Sequence, residues 1–491
     1  MDTEKTEKIL DIVMAFNTED SQDDLLDTIL TQMMEFTNSE AGTLYILEKN
    51  ALHFRIFHNK TMKNGQINNI NLPPVGLSRS NIQNISAYCA LNNVIVAIEN
   101  VYANTEFDFE GPRKYDELTG YKTVSMLTIP LTTFWKEPEV IGIIQLINSK
   151  NEEGEIIPYE GNYDFDLLSA ITKVAANTLT NLIYRDDITK LFHSFAEVMT
   201  QAIDERSSYN NIHTKNVTEY SVNFAKYLSE KFPPGHMYHF DKKRLEQLYI
   251  AALLHDIGKI ITPLEVMDKS DKLGQRLEPL RHRFEVKQLQ LENKFLKGKI
   301  NRNEFRGAKK YLFDLLDIIE EVNVSGRISS ENKARVEEGR KITYINSKGK
   351  IEPIIQEGDV ECLNIEAGTL TREERMIMQQ HVCITERLLN KIDSWKYYEN
   401  VPIWATTHHE FLDGSGYPKG LKGDEITFES RLLTIVDIFE ALTAKDRPYK
   451  KTIDVFTSLN ILNIMVKEGK LSKELVDLFA ESKVWEYKES L

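Results

Sequence analysis

The sequence predicts an α+β N-terminal domain, with an antiparallel sheet flanked by helices, joined by a long helix to an all-α domain. Three observations predict this architecture. Short β-branched segments bounded by Gly, Asn or Pro lie within residues 42–148. One apolar stripe with helical spacing runs through residues 163–206. The periodicity of residues 211–265 and 371–491 is helical, with no convincing strand in either range.

Length and charge limit the classes of protein to which the chain can belong. Its 491 residues exceed the ~250–300 at which one hydrophobic core stops growing, so we expect at least two domains. The net charge of −15 argues against a nucleic-acid polymer as partner, because binding many phosphates needs a basic face. Any phosphate ligand is therefore expected to be small and locally held.

The cysteines and the hydropathy indicate the compartment. Cys89, Cys362 and Cys383 have no metal or redox spacing, which is typical of a reducing compartment. No apolar run approaches the ~20 residues that cross a bilayer, and the N-terminus lacks the plan of a signal peptide. We therefore expect a cytoplasmic protein with no membrane segment.

The N-terminal region combines helices and strands in one module. Residues 5–36 have the spacing of two amphipathic helices. Four strand signals follow, beginning at Gly42, Leu52, Ser125 and Val140. This order of helices, antiparallel strands and a further helix predicts an α+β domain over residues 1–180.

Two segments of this module resemble the GAF family, namely Tyr115–Leu127 and the strand that ends Gln145-Leu-Ile-Asn148. The resemblance implies a sensory pocket for a small ligand, whose identity the sequence leaves unknown. The alternative is a GAF domain that serves only for dimerisation. The later Asn, Lys, Phe, Asp pattern of the family is met in part, by Asn148, Lys150, Phe165 and Asp166.

The long helical stretch 163–206 leads out of the first domain into the second, and we assign residues 181–210 as a connecting helix. An apolar stripe of this length is typical of a connector that pairs with itself, so we expect a homodimer. The alternative is a packed terminal helix of one domain.

A charged insertion at about 273–368 interrupts the all-α domain, which we assign to residues 211–491. Its first part, residues 276–323, has the spacing of a helical hairpin. Its second part, residues 326–366, mixes Gly, Ser and short Ile/Val runs, which predicts a loop with a small β-hairpin. The segment is interpreted as a lid over the functional cleft or as an arm that docks a partner.

Two histidine-containing motifs predict one metal site. His408 and His409 stand before a Gly-rich loop that ends at Pro418, and His255-Asp256-Ile-Gly-Lys259 lies some 150 residues earlier. If residues 248–261 form one helix, His255 and Asp256 lie about 100° apart, and Lys259 lies one turn further along the face of His255. Asp256 could then bridge two cations while Lys259 reaches a phosphate oxygen.

These motifs, with the block Asp413-Gly-Ser-Gly-Tyr-Pro418, resemble the HD-GYP phosphodiesterases of the HD superfamily. The resemblance implies that the catalytic residues are Asp256 and Lys259. It also implies seven metal ligands in all: His213, His255, Asp256, His381, His408, His409 and Asp437. The other histidines are interpreted as structural or surface residues: His53, His58, His193, His236, His239 and His282.

The resemblance further implies the metals. Five imidazoles and two carboxylates without a thiolate favour borderline metals such as iron or manganese. A third metal in this family needs a Glu one helical turn before the first His, and Tyr209 occupies that place. We therefore expect two divalent metal ions.

The implied reaction is hydrolysis of cyclic di-GMP to pGpG or GMP under the control of the GAF domain. Substrate contacts are assigned to Gly416, Tyr417 and Pro418 of the Gly-rich loop and to the basic side chains of Arg447 and Lys450. Two alternatives remain: hydrolysis of another cyclic dinucleotide such as 3′,3′-cyclic GMP-AMP, and a non-catalytic receptor for cyclic di-GMP.

Overall fold

The chain forms two compact units, Met1–Leu191 and Phe192–Leu491, each with its own hydrophobic core. The structure is a computed structural model. It describes residues 3–19, 21–61, 73–206, 212–325, 328–392, 395–444 and 453–486.

The first unit is an α+β domain around a single antiparallel sheet with the strand order β3-β2-β1-β6-β5-β4, and β7 pairs with β6. The two predicted N-terminal helices and the four predicted strands are confirmed. The remaining strands are two or three residues long, too short for a periodic signal. The elements are α1 Thr3–Phe16, α2 Gln22–Phe36, β1 Ser39–Glu48, β2 Ala51–Asn59, β3 Val75–Gly76, α3 Ile85–Asn92, β4 Val96–Ile98, α4 Glu110–Thr119, β5 Met126–Thr132, β6 Val140–Lys150, β7 Ile156–Ile157 and α5 Phe165–Asp204.

Both faces of this sheet are covered. Leu44, Ile129 and Ile144 on one face pack in the same cluster as Leu30 of α2 and Leu168 of α5. Helix α3 packs against β5 and β6 on the sheet. The predicted antiparallel sheet flanked by helices is therefore confirmed.

Asn148, part of the GAF-like motif, fixes the end of β6. Its backbone is left-handed, with φ 54°. Its side-chain oxygen accepts hydrogen bonds from the backbone of Val124 (2.8 Å) and Ser125 (3.2 Å), and its amide donates to the carbonyl of Lys122 (2.8 Å). The motif residue therefore ties the segment before β5 to the sheet.

The second unit is the predicted all-α domain with its insertion. Its body is one large cluster that includes Phe224, Leu248, Trp404, Val436 and Phe479. The elements are α6 His213–Lys231, α7 Lys242–Leu254, α8 Leu264–Met267, α9 Leu277–Leu296, α10 Arg302–Val324, α11 Ser330–Gly339, β8 Thr343–Ile345, β9 Ile351–Pro353, α12 Glu357–Leu363, α13 Arg372–Leu389, α14 Val401–Thr406, α15 Phe428–Thr443, α16 Val455–Lys467 and α17 Lys473–Ser482.

The insertion has a core of its own, which includes Leu280, Phe284, Leu315 and Ile354. The predicted helical hairpin is confirmed as α9 and α10, and the predicted β-hairpin is β8 and β9. The remainder of residues 326–366 was predicted to be loop, which is wrong, because α11 and α12 are helices. Both are short, and Val336 is the only large apolar side chain of α11, so neither produced an apolar stripe.

The two ends of the insertion meet at the start of α13. The Thr369 hydroxyl donates to the carbonyl of Lys269 (3.0 Å), and the Lys269 ammonium pairs with Glu374 of α13 (2.6 Å). The backbone N–H of Leu273 donates to the side chain of Asn323 at the end of α10 (2.7 Å). The insertion therefore leaves and rejoins the body of the domain at one place.

Within the described ranges, every helix is too short or too polar to span a membrane.

Candidate metal centre

The segment that carries His255 and Asp256 is a turn between two helices. The sequence predicted one helix through residues 248–261, but α7 ends at Leu254 and a 3-10 helix occupies Ile257–Ile261. Lys259 therefore does not lie on the face of His255 as predicted. Its ammonium nitrogen lies 2.5 Å from Oδ2 of Asp256 instead.

Gly258 in this turn packs closely against α13. A Cβ at this position would overlap the carbonyl oxygen of His381 and lie 2.7 Å from the backbone nitrogen of Thr385. The Gly258 N–H donates to the Thr385 hydroxyl (3.0 Å), which in turn donates to the carbonyl of His255 (3.1 Å). These contacts bring the turn and α13 together.

The last turn of α7 also receives a side chain from α5. The hydroxyl of Thr200 donates to the carbonyl of Leu253 (3.0 Å), one of the carbonyls that a helix end leaves without an intrahelical donor. Thr200 is buried. Sequence reasoning missed this residue, because nothing local marks a threonine whose partner lies 53 residues away.

Seven buried or half-buried side chains from five helices or helix ends meet beside this turn. They form three overlapping groups of three residues. Within each group, the three potential ligand atoms, one from each residue, lie within 4.8 Å of one another. None of the six histidines interpreted as structural belongs to these groups. The groups are His381, His408 and His409; His213, His255 and Asp437; and His255, Asp256 and His408.

Each aspartate lies between histidines. Oδ1 of Asp256 is 3.2 Å from Nε2 of His381, and its Oδ2 is 3.3 Å from Nε2 of His255. Oδ1 of Asp437 is 3.2 Å from Nε2 of His213, and its Oδ2 is 3.8 Å from Nδ1 of His409. Two carboxylates that each face two imidazoles can serve more than one cation.

Three of the rings are oriented by their own helices. Nδ1 of His255 donates to the carbonyl three residues earlier (2.6 Å), and Nδ1 of His381 and of His408 do the same (2.6 and 2.7 Å). A carbonyl can only accept, so Nδ1 carries the proton and Nε2 presents a lone pair. Histidines that bind metals almost always donate their other ring N–H in this way, which fixes the tautomer and the ring orientation.

The residues present fit a metal ion. Nε2 of His255, His381 and His408 and Oδ1 of Asp256 are buried, and none has a hydrogen-bond partner among the described residues. Buried polar atoms almost always have a partner, because losing hydration without compensation costs ~1–3 kcal/mol per atom. Four such atoms in one cluster are the donors that a divalent cation would satisfy.

Electrostatics keep His408, His409 and Asp437 in the protonation states that a metal needs. Burial lowers the pKa of His409 to about 3 and that of His408 well below its usual value, so both rings are neutral. Burial alone would raise the pKa of Asp437, but the hydrogen bond and charge of His213 outweigh it and the pKa is lowered. Neutral imidazoles and ionised carboxylates are the metal-binding forms.

Glu440 positions His213 and was missed by the sequence analysis. Its Oε2 accepts a hydrogen bond from Nδ1 of His213, and its Oε1 accepts one from Asn216 (2.9 Å). Burial lowers the pKa of His213, but its bonds to Asp256, Asp437 and Glu440 raise it overall. The available signal was its place on α15, one turn after Asp437.

Glu410 holds the Gly-rich loop. Its buried carboxylate accepts hydrogen bonds from the backbone of Lys419 (2.7 Å), Gly420 (3.2 Å) and Leu421 (3.0 Å). A Cβ on Gly416 would lie 2.5 Å from Cα of Glu410, so the loop packs directly on the backbone after His409. Close approach, rather than a left-handed φ, explains this glycine.

Tyr417 and Pro418 lie beside the cluster. The Tyr417 ring stacks on the His409 ring with centroids 4.7 Å apart and planes at 30°. The backbone N–H of Tyr417 donates a hydrogen bond to the carbonyl of His409 (3.1 Å). Pro418 follows, half-buried. Arg447, Lys450 and Tyr209 lie outside the described residues, and their assigned roles stay predictions.

Models of known families match parts of both units. A family model described as GAF domain matches residues 21–179, and two models described as HD domain match residues 211–343 and 360–475. The HD matches contain all seven clustered residues. A crystal structure of the GAF domain from an Acinetobacter phosphoenolpyruvate-protein phosphotransferase also aligns, at 13% identity over 38% of this chain and 99% of that chain, with a TM-score of 0.29.

Curated relatives match parts of the chain. A 3′3′-cGAMP-specific phosphodiesterase 3 of Vibrio cholerae is 40% identical over 95 residues, 19% of this chain and 20% of that protein. A cyclic di-GMP phosphodiesterase of Thermotoga maritima is 29% identical over 218 residues, 38% of this chain and 57% of that protein. The chain thus spans between a fifth and somewhat over half of these two relatives.

Replacing Gly258 by Ala should separate the turn from α13. The added methyl group meets backbone atoms of α13, so we expect a loss of about 1–3 kcal/mol in the free energy of unfolding, with weaker metal binding. Gly307→Ala is the matched control: no atom lies within 4 Å of a Cβ there, and alanine favours the α10 helix. Denaturant unfolding of both variants measures this. Equal stability of the two would contradict the packing described.

Replacing Glu440 by Gln should weaken metal binding without unfolding the domain. The amide keeps the shape but not the charge that orients His213, so we expect affinity to fall about 10–100-fold. Glu429→Gln is the control, because Glu429 is a buried carboxylate of the same helix that pairs with Arg244 outside the cluster. Titration of the metal-depleted proteins with Mn²⁺ compares the two. Similar Mn²⁺ affinities in the two variants would contradict the role of Glu440 in positioning His213.

Proposed function

Because the chain combines a GAF domain with an HD domain, we propose that it is a metal-dependent phosphodiesterase that hydrolyses cyclic di-GMP to pGpG or GMP. The observation that carries the proposal is the cluster of five histidines and two aspartates, in which three histidines have buried Nε2 atoms without a hydrogen-bond partner among the described residues. The relatives named as cyclic dinucleotide phosphodiesterases support the reaction class.

The proposed cofactor is a pair of divalent ions, iron or manganese, held by His213, His255, Asp256, His381, His408, His409 and Asp437. The absence of a thiolate from this set and its excess of imidazole favour borderline metals. When bound, such ions supply Lewis acidity at the phosphoryl oxygens and lower the pKa of water. Tyr209, in place of a glutamate, supports two ions rather than three.

Lys259 is proposed to stabilise negative charge on the reacting phosphate. Its ammonium is largely buried and held by Asp256, so it enters the reaction already placed. A preorganised positive charge in a site from which water is excluded contributes about 3–4 kcal/mol, by analogy with oxyanion donors. Asp256 thus serves both as a proposed metal ligand and as the group that fixes this lysine.

The Gly-rich loop is proposed as one wall of the substrate site. Tyr417 lies over His409, and an aromatic ring beside a metal cluster can stack on a guanine base. Gly416 and Pro418 shape the loop on which this ring is carried. Arg447 and Lys450 are proposed to bind the phosphate that is not cleaved.

A specific observation favours a second candidate substrate. The relative with 40% identity is named as specific for 3′3′-cGAMP, and none of the described contacts distinguishes the two purines. A non-catalytic receptor is less well supported, because all seven cluster residues and Lys259 are present.

The GAF domain is proposed to regulate the reaction through a small ligand. The three cysteines, which are free, are consistent with the proposed cytoplasmic location.

Turnover by the full chain, purified anaerobically, tests the proposal. We expect release of pGpG or GMP from cyclic di-GMP that is lost on chelation and restored by Fe²⁺ or Mn²⁺. The double variant His255→Ala, Asp256→Ala should lose bound metal and activity. The control His282→Ala, an exposed histidine of the insertion, should keep both.

Two outcomes separate the candidates. Faster hydrolysis of 3′,3′-cyclic GMP-AMP than of cyclic di-GMP would favour the second substrate. Tight binding of cyclic di-GMP by the metal-loaded chain without turnover of either dinucleotide would replace the enzyme by a receptor.

A further inference from the structure

The far end of the insertion's helical hairpin extends beyond the core of the insertion. Phe284 is the last buried residue of α9, and Leu312 is the first buried residue of α10. Helix α9 continues from Phe284 to Leu296, which adds ~18 Å at 1.5 Å per residue. Residues 294–310, which include the turn between the two helices, are named the basic tip.

The basic tip has a charge opposite to that of the whole chain. It contains seven basic residues and one acidic residue, a net charge of +6, whereas the chain has a net charge of −15. The acidic residue, Glu304, is already engaged, because its Oε2 accepts a hydrogen bond from the backbone N–H of Asn301 (2.8 Å). Six of the basic residues are exposed: Lys294, Lys297, Lys299, Arg302, Arg306 and Lys310.

These six exposed cations have no ion-pair partner among the described residues. Two arginines of α9 that lie nearer the core are paired instead. Arg281 contacts Glu278 (2.6 Å) and Glu320 (2.7 Å), and the buried Arg283 pairs with Asp359. Along the hairpin, therefore, the arginines near the core have anionic partners, and the exposed cations of the tip have none within the described part of the chain.

The stability of α10 does not account for its cations. Arg302, Arg306 and Lys310 follow one another at intervals of four residues, so they lie on one face of the helix, and like charges at this spacing destabilise a helix. Arg302 is also the first residue of α10, where the positive end of the helix dipole disfavours a cation. A polyanionic partner outside the chain would turn this unfavourable arrangement into a favourable one.

An exposed leucine stands among these cations. Leu296, the last residue of α9, is 78% exposed and lies between Lys294 and Lys297 in the sequence. Leu289 precedes it by two turns on the same face of α9 and is 64% exposed. A protruding leucine flanked by long basic side chains suits the boundary between lipid headgroups and acyl chains, where the leucine enters the apolar layer and the ammonium groups stay among the headgroups.

The aromatic rings of the tip argue against a nucleic-acid partner. Proteins bind single-stranded nucleic acids through aromatic side chains on which the bases stack. In the tip, Phe295 and Phe305 stack on each other, with centroids 4.9 Å apart and planes at 11°. Both rings are half-buried and join α9 to α10. The leucines and the ring arrangement therefore favour a bilayer over a polynucleotide.

We propose that the basic tip binds the surface of a bilayer that contains anionic phospholipids. Leu296 enters the boundary of the acyl chains, and the six exposed cations contact lipid phosphates and carboxylates. The contact is peripheral and needs no spanning segment. The hairpin places the tip ~18 Å from the insertion core, more than the Debye length of ~8 Å at physiological salt, so carboxylates near the core barely weaken the attraction.

Vesicle sedimentation of the full chain tests the proposal. We expect the chain to sediment with vesicles of phosphatidylcholine and phosphatidylserine but not with vesicles of phosphatidylcholine alone, because only the former carry a net negative charge. Raising the salt from ~0.15 M to ~1 M should weaken the binding, since the Debye length falls from ~8 Å to ~3 Å. Equal sedimentation with both kinds of vesicle, or sedimentation with neither, would overturn the proposal.

The double variant Arg306→Gln, Lys310→Gln removes two cations of the tip. Each cation near an anionic surface strengthens binding about fivefold, so we expect the affinity for the anionic vesicles to fall about 25-fold. The matched control is Lys333→Gln, Lys341→Gln, which removes two exposed lysines of the same insertion outside the tip and should bind as the wild type does. Both double variants should unfold at the wild-type temperature, because all four side chains are exposed or free of ion pairs among the described residues. Equal vesicle affinities of the two double variants would overturn the assignment to the tip.

Leu296→Ser separates a bilayer from other polyanions. It keeps every charge but removes the side chain that enters the apolar layer, so we expect vesicle affinity to fall at least about tenfold with the same salt dependence. A single-stranded oligonucleotide is the competing probe. Oligonucleotide binding that is kept in Leu296→Ser and lost in Arg306→Gln, Lys310→Gln, without sedimentation of the wild type with anionic vesicles, would replace the bilayer by a nucleic acid. None of these measurements uses turnover, so their outcome is independent of the proposed function.

Discussion

The contact between Gly258 and α13 is the constraint on which the rest of the metal centre depends. Without a side chain at residue 258, the turn after α7 lies directly against the carbonyl of His381. Helix α7 ends at Leu254, and His255 and Asp256 follow as a turn. Because a Cβ at residue 258 would overlap backbone atoms of α13, a larger residue there would shift His255 relative to His381.

Two buried glutamates that are not among the proposed metal ligands hold neighbouring groups of the metal centre in place. Glu440 orients His213, and Glu410 gathers three backbone N–H groups of the Gly-rich loop. A buried charge is costly unless hydrogen-bond donors satisfy it. Each of these carboxylates therefore holds its donor groups in place. The loop that bears Tyr417 thereby has a defined position over His409.

The insertion shows why a long addition leaves the domain intact. Its two ends meet through Lys269 and Thr369, and the segment between them buries its own apolar residues. The insertion therefore has a hydrophobic core separate from the large core of the second unit.

The sequence by itself determined the two domain types, the long helix, the helical hairpin of the insertion and the pairs His255-Asp256 and His408-His409, because each has a local pattern or motif. It did not determine the turn at Lys259, the helices α11 and α12, or the roles of Glu440, Glu410 and Thr200. The turn, Glu440 and Thr200 depend on partners far away in the chain, namely Thr385, His213 and Leu253. Glu410 depends on how the loop after it folds back, and α11 and α12 are too short to show an apolar stripe. Only tertiary packing decides which distant groups meet, since a helix continues or stops according to the backbone that it packs against.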